Sequence, residues 1–166
     1  MLAYPLLFVF PFAVAYAAAS DLLTMTIPNR LNLLIGASFF IVAPVAGLSL
    51  QDMAMHLAAG GLVLVAGISL FAFGWLGGGD AKLLAVSALW LGFEVLLPFL
   101  LYVTVFGGVL AMAMLAYRRF PAAALPLPDW AARLHGQGGP IPYGIAITAG
   151  ALAVYPETPW VAALAS

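Results

Sequence analysis

The sequence predicts an all-α, polytopic membrane helix bundle of about six transmembrane helices, with the N- and C-termini outside. Three observations predict it. Hydrophobic residues fill 66% of the 166 positions and charged residues only 7%, against about 25% charged in an ordinary soluble domain. Mean hydropathy is +1.15, so polar surface is too scarce to cover a water-facing fold. The apolar residues also fall into runs near the length of about 20 that crosses a bilayer core as helix. The length suits a single membrane-embedded domain over 1–166, with the lipid bilayer as its first partner. A net charge of −1 and a pI of about 6.0 offer no basic patch, so no nucleic-acid partner is expected. With no cysteine, disulfides, thiolate metal sites and a cysteine nucleophile are excluded.

Leu2 to Ser20 is the first uncharged run. The alternative is a cleaved signal peptide, since Ala13-Val14-Ala15 and Ala17-Ala18-Ala19 resemble A-x-A sites, but no Lys or Arg precedes the run. Asp21 to Asn32 is a polar break, and Pro28 biases Ile27 away from helix, which predicts a connector. Leu33 to Leu50 is the second span, with a kink expected at Pro44. Ser49-Leu50-Gln51-Asp52 fits a capping box before the third span, Met53 to Leu76, which carries Trp75 near the interface. Leu83 to Tyr117 is too long for one span and short for two. Gly92-Phe93-Glu94 divides it into a short fourth helix to about Leu91 and a fifth from about Glu94, whose charge suits a helix start. Arg118 to Pro140 is a polar loop. Ile141 to Tyr155 is the last apolar segment, and Pro156-Glu157-Thr158-Pro159 interrupts it.

Six crossings place Arg30, Lys82, Arg118, Arg119 and Arg133, every Lys and Arg of the chain, on one side. Asp52, Glu94 and Glu157 fall on the other. The basic side is then cytoplasmic.

The stretch Gly77-Gly78-Gly79-Asp80-Ala81-Lys82 is where chemistry concentrates. An acid within hydrocarbon costs on the order of 2.5 kcal/mol, so one beside apolar runs marks a functional site. Asp21 ends another such run, and both follow odd-numbered spans, which places them at similar depth on the cytoplasmic side. Two close carboxylates cannot both ionise easily. The charged one can take a proton from water while the neutral one donates to a scissile carbonyl. Glycines let an extended substrate backbone approach closely. Lys82 either steadies the acid, contacts substrate or snorkels to headgroups. The plainer readings are an N-cap for Asp80, a solvated helix end for Asp21, and a packed or interfacial His56. No metal-ligand spacing is present and no Gly-Lys-Ser/Thr closes the glycines into a phosphate loop, so neither metal nor cofactor is expected.

Gly77-Gly78-Gly79-Asp80-Ala81-Lys82-Leu83 resembles the GxGDxKL motif of prepilin peptidases, the intramembrane aspartic proteases. Asp21 followed by Ile27-Pro28-Asn29 is similar to that family's first catalytic site, and Pro142-Tyr143-Gly144 resembles its P-[YF]-G element. The resemblance implies an endopeptidase that cuts the basic leader from type IV prepilins or pseudopilins at the cytoplasmic face of the inner membrane. Its substrate would carry a transmembrane helix. Asp21 and Asp80 would be the catalytic pair, with Gly77, Gly78, Gly79, Asn29, Lys82 and Tyr143 in supporting or substrate-binding roles. The paired Cys-x-x-Cys region of the larger family members is missing here. The chain thus looks like the short form, similar to peptidases of tight-adherence (Flp-type) pilus systems, and methyl transfer is expected to be absent.

Two other classes compete. A small carrier or channel also uses intramembrane acids, although its polar groups would lie mid-span rather than at one face. A non-enzymatic pilus or secretion assembly subunit would tolerate conservative changes at both aspartates.

Overall fold

The structure is a computed structural model, and it describes residues 7–119, 128–136 and 139–161. The described residues are all-helical, without strands. In chain order the helices are α1 (Val9–Thr24), α2 (Asn29–Val45), α3 (Leu50–Ala72), α4 (Gly78–Leu91), α5 (Leu96–Tyr117), α6 (Asp129–Leu134) and α7 (Tyr143–Val154), with a 3-10 turn at Tyr155–Glu157.

Local chemistry sets the boundaries. Helix α1 does not stop at Ser20. It carries Asp21 inside its last turn and a half and ends at Thr24, where Met25 turns left-handed at φ 56°. Leu22 and Leu23 are good helix formers and nothing before Met25 interrupts them. The predicted connector therefore shrinks to Met25–Pro28, and α2 starts directly after the extended Pro28. Pro44 is the penultimate residue of α2, so it marks the end of that helix, before the left-handed Gly47 at φ 84°. Ser49 caps α3 as predicted: its hydroxyl accepts the Asp52 N–H and the Asp52 carboxylate accepts the Ser49 N–H, both at 3.1 Å. The break after α4 falls at Gly92, with φ 73°. Glu94 lies in that turn, ahead of the first residue of α5. The loop expected over 118–140 contains the short α6, and its residues 120–127 and 137–138 lie outside the described ones.

The helices run up and down in alternation. Gly47 of the α2–α3 turn and Gly92 and Glu94 of the α4–α5 turn line one cavity at one end of the bundle, together with Asp52 in the first turn of α3 and Pro159. The α1–α2 and α3–α4 turns line another cavity at the opposite end. Helix α7 begins beside Asp21 and finishes beside Leu7, whose carbonyl accepts the Tyr155 hydroxyl at 2.6 Å. Helices α4 and α7 occupy the interior: α4 packs chiefly on α3, and α7 on α5 and α1. They have 14 and 12 residues, hence about 21 and 18 Å of length at 1.5 Å per residue, less than a bilayer core of about 30 Å.

Helices α3 and α5, with 23 and 22 residues, are long and apolar enough to cross a membrane. Only a minor part of each is buried against the rest of the chain. Leu62, Val65 and Phe71 on α3, and Leu97, Leu101, Val105 and Met112 on α5, all face outward. An apolar surface of that extent needs an apolar neighbour.

At the end away from Asp21, the core is aromatic. Phe10 stacks on Trp90 with centroids 5.2 Å apart, and Phe39, Trp160 and His56 close around them. Their polar atoms reach backbone carbonyls on other elements: Trp90 Nε1 donates to Ile35 at 2.8 Å, Trp160 Nε1 to Trp90 at 2.6 Å and His56 Nδ1 to Leu89 at 2.8 Å. Buried tryptophan and histidine need such partners, and here they tie the helices together. His56 is a packed residue, as one of the sequence readings holds.

Candidate active site

Asp21 sits on α1 and is only 6% exposed. Its Oδ2 accepts the backbone N–H of Gly144, the second residue of α7, at 2.8 Å. That amide is one of the N–H groups a helix leaves without an internal partner, and the positive end of α7 suits a carboxylate. A side chain at Gly144 does not fit. A Cβ there would stand 2.8 Å from Asp21 Oδ2 and 3.1 Å from Ile27 Cδ1.

Asp80 comes from the opposite wall. It is the third residue of α4, whose N-cap is Gly77, so it does not itself cap the helix. Its carboxylate accepts the Gly77 N–H instead, the reaching-back half of a capping box. A Cβ on Gly77 would lie 2.6 Å from Asp80 Oδ2, so glycine is what admits the acid. Gly79 runs close beneath Ile27, where an added Cβ would lie 3.3 Å from Ile27 Cβ. Gly78 faces the Phe71 ring.

The two acids meet at one cavity of about 260 Å³, lined by Asp21, Met25, Thr26, Ile27 and the run Gly77 to Asp80. With both carboxyl groups on one small cavity, like charges disfavour ionising the two together. The geometry supplies one acid able to hold a proton beside another held by a backbone amide, at a cavity with room for water.

The remaining predicted residues separate into two other places. Lys82 is turned away from the acids, since residues two apart on a helix do not face each other. Its Nζ donates to Asn29 Oδ1 at 2.7 Å, and both line a groove between α2, α3 and α4. The side chain of Tyr143 points to α5, where a Cβ on Gly107 would be 3.0 Å from its ring. It lines an apolar cavity distinct from that of the acids. From the Pro142-Tyr143-Gly144 element it is Gly144 that touches an aspartate.

Sequence reasoning passed over three contributors. Asn32, on α2, donates from Nδ2 to the Gly79 carbonyl at 3.4 Å. Arg118 donates to the carbonyls of Leu134, Gly139 and Pro140 at 2.9–3.0 Å, which fixes the lead-in to α7. Arg133 donates to the Leu23 carbonyl near the end of α1. The two arginines carried a sequence signal, their side of the predicted topology. Asn32 carried none, because an asparagine in a helix has no local partner that announces a long-range bond.

A family model described as the type IV leader peptidase family matches residues 8–112, a stretch that contains both aspartates and the glycines between α3 and α4. No curated protein matches the chain, and no solved structure does.

Proposed function

The chain belongs to the type IV leader peptidase family, and from that membership we propose that it is an aspartic endopeptidase of the cytoplasmic membrane that removes the basic leader from prepilins or pseudopilins. The observation that carries the proposal is the convergence of Asp21 and Asp80 on one cavity. In the catalytic cycle the pair shares one proton. The ionised carboxylate accepts a proton from water as the water oxygen bonds to the scissile carbonyl carbon, and the neutral carboxyl gives its proton to the carbonyl oxygen. The tetrahedral intermediate collapses as a proton passes to the leaving nitrogen and the C–N bond breaks. The pair titrates as a unit, so neither step is assigned to one aspartate. The amides of Gly144 and Gly77 hold the two side chains in place.

The reaction is proposed to occur at the cytoplasmic face, with six helices crossing and both termini outside. The alternating directions of α1 to α5 and α7 support that arrangement. So does the distribution of charge: Arg118, Arg133 and Lys82 bond to groups at the Asp21–Asp80 end, whereas Asp52 and Glu94 line the cavity at the other end. A basic end is a cytoplasmic end. Methyl transfer is not part of the proposed activity.

The test is co-expression with a prepilin-type substrate and a reading of leader loss on a gel. The proposal expects cleavage by the wild-type protein and none by the Asp21→Asn or Asp80→Asn protein at equal membrane abundance. Full cleavage by either variant would remove the aspartic mechanism.

A further inference from the structure

A groove of about 670 Å³ lies between α2, α3 and α4. Its polar end is formed by Asn29, Asn32 and Lys82, and its apolar length by Leu33, Ala37 and Phe40 on α2, facing Leu64 and Val86. From Asn29 to Phe40 the α2 backbone rises roughly 16 Å, about three helical turns. Gly36, Ala37 and Ala85 keep the lining low, the residue type that lets a second helix approach closely within a membrane.

Two features show what the groove is joined to. Asn32 is 4% exposed and lines it, and the same side chain holds the Gly79 carbonyl next to Asp80. Its Oδ1 is buried and has no donor among the described residues, which costs about 1–3 kcal/mol. Lys82 spends one of its three donors on Asn29 and presents the remaining positive charge at the groove mouth. A chain that leaves the acid cavity past Gly79 therefore meets a cation first, and then an apolar trough of helical length.

We propose that this groove seats the apolar helix of the substrate, running from Lys82 toward Phe40, with Asn32 as the positioning residue that links the seated helix to the Gly79–Asp80 turn. The proposal rests on the peptidase reading, and it names the part of the substrate that the groove holds. A lipid with an anionic headgroup is the competing occupant. The hydrogen bond from Asn32, which lines the groove, to Gly79, which lines the acid cavity, favours the substrate, because it couples an occupant of the groove to the turn that carries Asp80.

The test uses the full-length protein in detergent-lipid micelles and two substrates: a prepilin-type protein with its apolar helix, and a short soluble peptide that spans only the leader junction. Ala37 is exposed in the groove, so Ala37→Trp fills it without touching the core. Leu101→Trp, on the outward face of α5, is the matched control. The proposal expects Ala37→Trp to raise KM for the helix-bearing substrate at least tenfold, and by far more than for the peptide, whereas Leu101→Trp leaves both as in wild type. Asn32→Leu should lower kcat for both substrates, because it frees the Gly79 turn. A photoreactive benzophenone side chain at position 37 should crosslink to the helix-bearing substrate. Unchanged KM in Ala37→Trp, or crosslinking to lipid only, overturns the groove assignment. Failure of the wild-type protein to cut either substrate instead overturns the peptidase reading beneath it.

Discussion

The backbone N–H of Gly144 donates to Asp21 Oδ2 at 2.8 Å, and a Cβ on Gly144 would occupy a point 2.8 Å from the same oxygen. Helix α7 therefore approaches the aspartate by its backbone alone. Gly144→Ala has to move either the acid or the start of α7. We expect it to lower leader cleavage by tenfold or more while the protein still accumulates in the membrane. Gly61→Ala is the control. It lies on the exposed side of α3 with nothing within 4 Å, and alanine gains about 1 kcal/mol of helix propensity there. Immunoblots of membrane fractions beside the cleavage gel separate lost activity from lost protein.

At the far end of the bundle, Gly92 adopts φ 73° and an added Cβ would lie 2.8 Å from His56 Cε1. Gly92→Ala combines a left-handed backbone with a collision in the core. The backbone alone costs about 1–3 kcal/mol, so the thermal midpoint should drop markedly. Gly47→Ala bears a similar backbone penalty at φ 84° with nothing within 4 Å and should drop less. Equal losses would show that the His56 contact carries no weight.

Helix existence and order were legible because apolar run length and the glycine and proline punctuation are local properties. The Ser49–Asp52 box and the Gly92 break are examples. Boundaries were less legible where a polar residue sits in good helical context. Asp21 reads as the end of a run, yet α1 carries it inside the helix, because what stops α1 is the left-handed Met25. The acid pair was legible through its motifs. Its supports were not: Gly144 and Asn32 act across the fold, and no local pattern signals a backbone amide or a side-chain amide that finds its partner more than 40 positions away. Tyr143 lies at a different cavity from the acids, since a motif does not reveal which of its neighbouring residues faces the acid.

Metal removal gives a further check. A carboxylate pair activates water without a metal, and no group of three His, Cys, Asp or Glu side chains suited to a metal occurs among the described residues. Excess chelator should leave the initial cleavage rate within about twofold of the untreated protein. A large loss, restored by a divalent cation, would contradict the aspartic mechanism.

The most direct measurement is the initial rate of leader cleavage by purified wild type, Asp21→Asn, Asp80→Asn and the double variant, all at equal amounts of folded protein. If the two carboxylates work as one unit, each single change should lower the rate by on the order of a thousandfold or more, and the double change should be no worse than either single. A single variant that cuts at near the wild-type rate, or single losses that multiply in the double variant, would contradict the shared acid pair.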